Sequence, residues 1–147
     1  MAAADHPPKL AVATGLHVRY LEVNMSTGTV SKLEARSHDN PDETRKPDKA
    51  TIEVNNLGDF TIGRFVFQPG WTWASSIKPV AKTEHCEKTH VGYCVSGQLE
   101  VWTTDGNRIT IREGESYTIP PDHDARVSGD EPFVGIEFAS AATFAKA

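Results

Sequence analysis

The chain has 147 residues, a formal charge of −5 and an apolar fraction of 38%, enough for one core and one ordinary domain. Lysine and arginine form no block or stripe, so the basic footprint that nucleic-acid binding needs is missing. No apolar run approaches the roughly 18 residues of a membrane-spanning helix. The opening MAAADHPPKL lacks the charged start and apolar centre of a signal peptide. The expectation is a cytoplasmic protein with neither a nucleic-acid nor a membrane partner.

In chain order, the first dozen residues are small, polar or proline-containing and read as a loose end. Residues 16–23 (LHVRYLEV) have the β-branched and aromatic content of a strand, 24–28 turn, and 29–34 return as a hairpin partner. Residues 36–49 are charged, carry Pro41 and Pro47, and read as a long surface connection. Strand signals then follow at 51–54, 60–67, 71–75, 91–95, 98–103, 107–111, 116–119, 125–127 and 133–138. The breaks between them are Pro69-Gly70, a loop holding Lys78-Pro79, Ser96-Gly97, Asp105-Gly106, Glu113-Gly114 and Pro120-Pro121. Asp-Gly between two alternating runs is a strong hairpin signal. Short strands about every ten residues predict an all-β sandwich or barrel. The one helix candidate is the tail from residue 139 on. The organisation expected is an N-terminal β arm over 1–40, a barrel over 41–140 and a tail over 141–147.

Cys86 and Cys94 are the two cysteines. On one extended strand they stand roughly 26 Å apart, against the about 7 Å that a disulfide spans. An internal bridge is therefore not expected, and reduced thiols suit a cytoplasmic setting.

Two segments concentrate chemistry: residues 84–97 (EHCEKTHVGYCVSG) and 119–127 (IPPDHDARV). Strand alternation puts Glu84, Cys86 and His90 on one face, and His123 follows the Pro-Pro turn. A one-residue bulge would exchange His85 for Cys86, and both registers stay open. Carboxylate, thiolate and imidazole together suit a borderline metal and suit magnesium or calcium poorly. Cys86 is either a thiolate ligand or a small buried hydrophobe. As a nucleophile paired with His90 it reads poorly, because four extended residues span about 13 Å. Trp71, Trp73 and Trp102 read as core or interface residues, with Trp73 and Trp102 also candidates for a ligand pocket. Lys78 is a solvated lysine or a contact for an anionic substrate.

These segments resemble the two motifs of the cupin superfamily. In the first, the closing glycine fits Gly97; His90 then stands where the family has glutamate, and Cys86 and Glu84 where it has its two histidines. The alternative spacing puts His85 and Thr83 at those two positions. In the second motif Gly114 and Pro120 fit, Asp122 replaces a glycine, Ala125 replaces the ligand histidine, and His123 comes two residues early. Pro69-Gly70-Trp71 with Trp73 is similar to the opening of small single-domain cupins. The resemblance implies a double-stranded β-helix, or jelly-roll barrel, that commonly pairs as a homodimer. It implies an internal divalent metal (zinc, iron, nickel, manganese or copper) held by ligands from His90, His123, Cys86, Glu84 and His85. It also implies a small organic substrate in lyase, isomerase, decarboxylase or dioxygenase chemistry. The alternative is a metal-free barrel that binds a small ligand or acts as a sensor.

Overall fold

The computed structural model describes residues 11–12, 19–20 and 30–146. Its N-terminal pair joins β1 (Ala11–Val12) to β2 (Arg19–Tyr20) in antiparallel fashion. The strand expected over 16–23 lies outside the described residues apart from Arg19 and Tyr20. Residues 30–34, expected to return as its partner, carry no strand and are exposed.

The rest builds two antiparallel sheets. The larger uses β3 (Glu43–Arg45), β4 (Ala50–Leu57), β5 (Phe60–Phe67), β6 (His90–Ser96), β9 (Ser116–Ile119) and β11 (Phe133–Glu137). Its order is β3-β4-β5-β11-β6-β9. The smaller uses β7 (Gln98–Thr103), β8 (Arg108–Arg112) and β10 (His123–Val127), in the order β10-β7-β8. The fold is the expected all-β barrel. β3 was not foreseen: three residues within a charged stretch give no periodicity to read, and the strand exists because it pairs with Ile52–Val54 of β4.

Alternation builds the core. Ile52 and Val54 of β4, Phe65 and Phe67 of β5, Leu99 and Val101 of β7, Ile119 of β9, Ala125 and Val127 of β10 and Phe133 of β11 all turn inward and are buried. Trp71 stacks on Phe67 with ring centroids 3.9 Å apart and an interplanar angle of 3°. At the turn between β6 and β7, Gly97 has φ +76°, and a Cβ there would stand 2.1 Å from the Pro132 carbonyl oxygen. Both facts demand glycine.

The strand expected at 71–75 is instead a short helix, α1 (Trp73–Ser76), followed by α2 (Lys78–Ala81). The Thr72 hydroxyl caps α1 by accepting from the Ser75 amide, a local bond that outweighs the strand propensity of two tryptophans. The C-terminal residues form turns rather than the expected helix. Arg45 holds them, donating to the carbonyls of Ala141 (2.9 Å), Ala142 (3.1 Å) and Phe144 (2.6 Å). Those bonds carry Phe144 inward against Phe65 and Phe67. Among the described residues no helix is long and apolar enough to cross a membrane.

Candidate metal centre

His90 opens β6 and His123 opens β10. His90 pairs with Ile119, and Cys86 forms an isolated antiparallel bridge with His123. The two pairs belong to one register, interrupted between them: 87–89 and 120–122 leave the ladder, and Asp122 takes φ +65°. The interruption is closed by Cys86 N donating to His123 O (2.9 Å) and Asp122 N donating to Cys86 O (2.8 Å). With 87–89 exposed and out of the ladder, Cys86 folds back over His90. Its Sγ lies 3.5 Å from His90 Nε2. This corrects the reading from an extended strand, on which the two residues stood too far apart to meet.

One donor atom from each of Cys86, His90 and His123 lies within 4.8 Å of the others, and all three residues are buried. Zinc bonds of about 2.3 Å to sulfur and 2.0–2.1 Å to nitrogen put donors of a tetrahedral site about 3.5 Å apart, which is the Cys86–His90 separation. The residues present therefore fit a borderline divalent ion in both chemistry and spacing. Three protein donors would leave a further coordination position, as in catalytic rather than structural sites.

The outward nitrogens of both rings are tied. His123 Nδ1 donates to the Pro120 carbonyl at 2.6 Å. A carbonyl only accepts, so Nδ1 carries the proton and Nε2 is left for a ligand role. His90 Nδ1 lies 2.7 Å from Glu137 Oε2. Glu137 in turn accepts from the Tyr117 hydroxyl at 2.9 Å and from the Ser140 hydroxyl. The Tyr117 hydroxyl occupies a slot left by two glycines: a Cβ on either Gly92 or Gly135 would stand 2.7 Å from it.

Charge follows from this packing. Burial disfavours the His90 cation, yet the Glu137 carboxylate and the hydrogen bond to Cys86 outweigh it and raise the pKa from an ordinary 6.5 to about 9. Burial likewise opposes the Cys86 thiolate, but hydrogen bonding to His123 and His90 lowers its pKa from 9.0 to about 6. Burial and the Glu137 charge push the Tyr117 phenol upward, so Tyr117 remains a donor. In the metal-free protein the His90 pairing stabilises the fold fully below about pH 6.5 and is lost as pH rises through about 9. The Cys86 contribution runs the other way: present above about pH 9, lost as pH falls through about 6.

The remaining candidates fall outside this cluster. Glu84 is exposed and engages Lys78, with Glu84 Oε2 at 2.9 Å, and that contact lowers the Glu84 pKa. His85 turns outward to Asp124, its Nδ1 2.9 Å from Oδ2. Both lie in a bend at 83–85, so strand alternation does not extend back to them, and the open choice resolves to Cys86 facing inward. Trp73 is buried and borders an internal cavity of about 20 Å³ together with His90, His123 and Glu137. That space holds about one water or ion. Trp102 does not border this cavity; it alternates outward from Val101 and lies under the Arg108 guanidinium at 5.0 Å. Lys78 has its partner in Glu84. Glu137 and Tyr117 went unread in the sequence. The available signal was parity: Glu137 shares the inward face of β11 with Phe133 and Gly135, and an acid at such a position requires a partner.

The family model for the cupin domain matches residues 63–138, just over half of the chain. The chain belongs to the cupin family. A protein of unknown function from Rhizobium leguminosarum bv. viciae 3841 is 22% identical to this cupin, with a TM-score of 0.53, over 74% of this chain and 98% of that one. A cupin-superfamily sugar phosphate isomerase from Silicibacter pomeroyi is 16% identical, with a TM-score of 0.53, over 71% of this chain and 74% of that one. Both similarities bear on the fold alone. No curated protein matches the chain.

Proposed function

We propose that this cupin is a metal-dependent enzyme for a small organic substrate, its divalent ion held by Cys86, His90 and His123. The observation that carries the reading is the pairing of three converging donors with fixed outer partners, Glu137 on His90 and the Pro120 carbonyl on His123. Both outer partners fix the ring orientations, so that Nε2 of His123 offers its lone pair and Nε2 of His90 does so once its proton is displaced; metal sites gain affinity in this way from groups that never touch the metal. A bound ion of this type supplies Lewis acidity toward an oxygen of the substrate. The chain itself contributes three functions. Phe144 and Trp73 line the site with apolar surface. Glu137 takes up the charge of His90. Cys86 supplies a thiolate that is ionised at neutral pH.

The test is metal content by elemental analysis of protein purified without chelator or affinity tag for metals. About one transition metal per chain is expected, falling below one tenth in Cys86→Ala and His123→Ala. Substoichiometric metal that dialyses away sinks the reading.

A second reading rests on its own observation. Cys86, His90 and Glu137 form a hydrogen-bonded series at 3.5 and 2.7 Å, the arrangement that activates a thiol nucleophile without metal. It is favoured if the metal-free protein reacts with electrophilic substrates and added zinc suppresses that reaction.

A further inference from the structure

A cleft of about 230 Å³ lies on the surface directly outside the metal centre. Cys86, on its wall, also belongs to the ligand cluster. Trp73 and Phe144 border both this cleft and the internal cavity, so these two rings form the partition between them. The partition is held from behind, because Arg45 fixes the turn that carries Phe144.

Among the described residues, the charged ones that line the cleft are Lys88, Lys146 and Glu87. Lys88 forms no ion pair among the described residues, and Lys146 pairs at 3.8 Å with Glu43, a carboxylate it shares with Arg45. Two cations and one carboxylate leave a single net positive charge, which suits a monoanion better than a phosphate dianion. Ile77, Ala81 and Phe144 supply an apolar wall. Trp73, 1% exposed, keeps its buried indole N–H without a partner among the described residues.

We propose that this cleft admits and holds a small organic carboxylate, its anionic group between Lys88 and Lys146 and its other end directed to Cys86. The proposal rests on the metal-centre reading for the purpose of the route, and it names the substrate class of that site.

Iodoacetate and iodoacetamide test it, since they share a shape and differ in the carboxylate. With either one the Cys86 sulfur forms a bond to the methylene carbon as iodide leaves. Alkylation is followed on metal-free, folded protein, with the modified cysteine assigned by peptide mass, since Cys86 and Cys94 are both buried and Cys86 alone borders the cleft. The iodoacetate-to-iodoacetamide rate ratio, normalised to free cysteine, is expected to fall about 5-fold in Lys88→Ala/Lys146→Ala, as two unit charges several ångströms away in a water-like dielectric would give. It is expected to fall further in the Lys88→Glu/Lys146→Glu variant. Pyruvate at millimolar concentration is expected to slow iodoacetamide in the wild type and not in either variant. An unchanged ratio, no protection by pyruvate, or a folded Cys86 that neither reagent reaches overturns the proposal. Because the assay needs no metal, its outcome is separable: a chain that binds one metal but fails here loses only the cleft, and a chain that passes here without binding metal loses only the metal centre.

Discussion

One imidazole–carboxylate pair lies on the outside of the barrel, at the smaller sheet, and another lies inside it, on the larger sheet. His85 meets Asp124 at 2.9 Å on the outside, and His90 meets Glu137 at 2.7 Å on the inside. The distances nearly coincide, but side-chain exposure is 38% and 19% for the outer pair against 5% and 5% for the inner one. The same chemistry therefore has different consequences. In water an ion pair gains little over solvation, whereas in the interior each partner depends on the other. The inner pair can tune a ligand, and the outer pair decorates a surface.

The sharpest way to break this contrast is to remove one carboxylate from each pair. Glu137→Ala removes the carboxylate that keeps His90 charged and leaves His90, Tyr117 and Ser140 without their shared buried acceptor; it is expected to cost about 3–5 kcal/mol in the metal-free protein. Asp124→Ala is expected to cost about 0–1 kcal/mol. Denaturant unfolding of both variants measures the difference, and equal losses would erase the distinction. The histidines can be compared in the same way. His123→Ala should weaken zinc binding at least about 100-fold, beyond what loss of an outer partner causes, while His85→Ala leaves it unchanged in a competitive chelator titration.

The pH dependence sharpens the comparison further. Zinc must displace a proton from His90, which holds it up to about pH 9. Cys86 is already ionised above about pH 6. Apparent affinity should therefore rise about tenfold per pH unit between pH 7 and 9. It should steepen below pH 6, where Cys86 must also lose a proton. In the metal-free protein the thiolate absorbance of Cys86 should titrate near pH 6; a midpoint close to 9 would deny the pairing with the histidines. A smaller effect is expected from Tyr117→Phe, which removes one hydrogen bond from Glu137 and should lower zinc affinity by about tenfold, at the mild end for outer partners. Smallest of all is Glu84→Gln, expected to change neither metal content nor melting temperature.

Most of the barrel was legible because alternation and turn chemistry agree along the chain. The strands at 60–67, 98–103 and 116–119 have the boundaries that the sequence suggests. Where the sequence misled, a local or long-range bond decided. The Thr72 cap made a helix of a strand-like run, and pairing with β4 made a strand of Glu43–Arg45. The site was half legible. His90, His123 and Cys86 stood out as residue types in motif positions, but their approach depends on a ladder interruption that strand periodicity does not encode. Glu137 lies 47 residues from His90 in the chain and reaches it only because β11 pairs with β6. No local pattern announces which strands become neighbours, so the partner that sets the charge of His90 stayed hidden.

The two glycines beneath the Tyr117 ring carry a diagnostic consequence. With Tyr117 in place, a methyl group at position 92 or 135 would push the phenol off Glu137 and free that carboxylate to move. A related barrel bearing alanine at either position, with tyrosine retained, should thus anchor its imidazole through a carboxylate that lacks the phenol's support. Two missing side chains mark the family members in which this particular wiring survives.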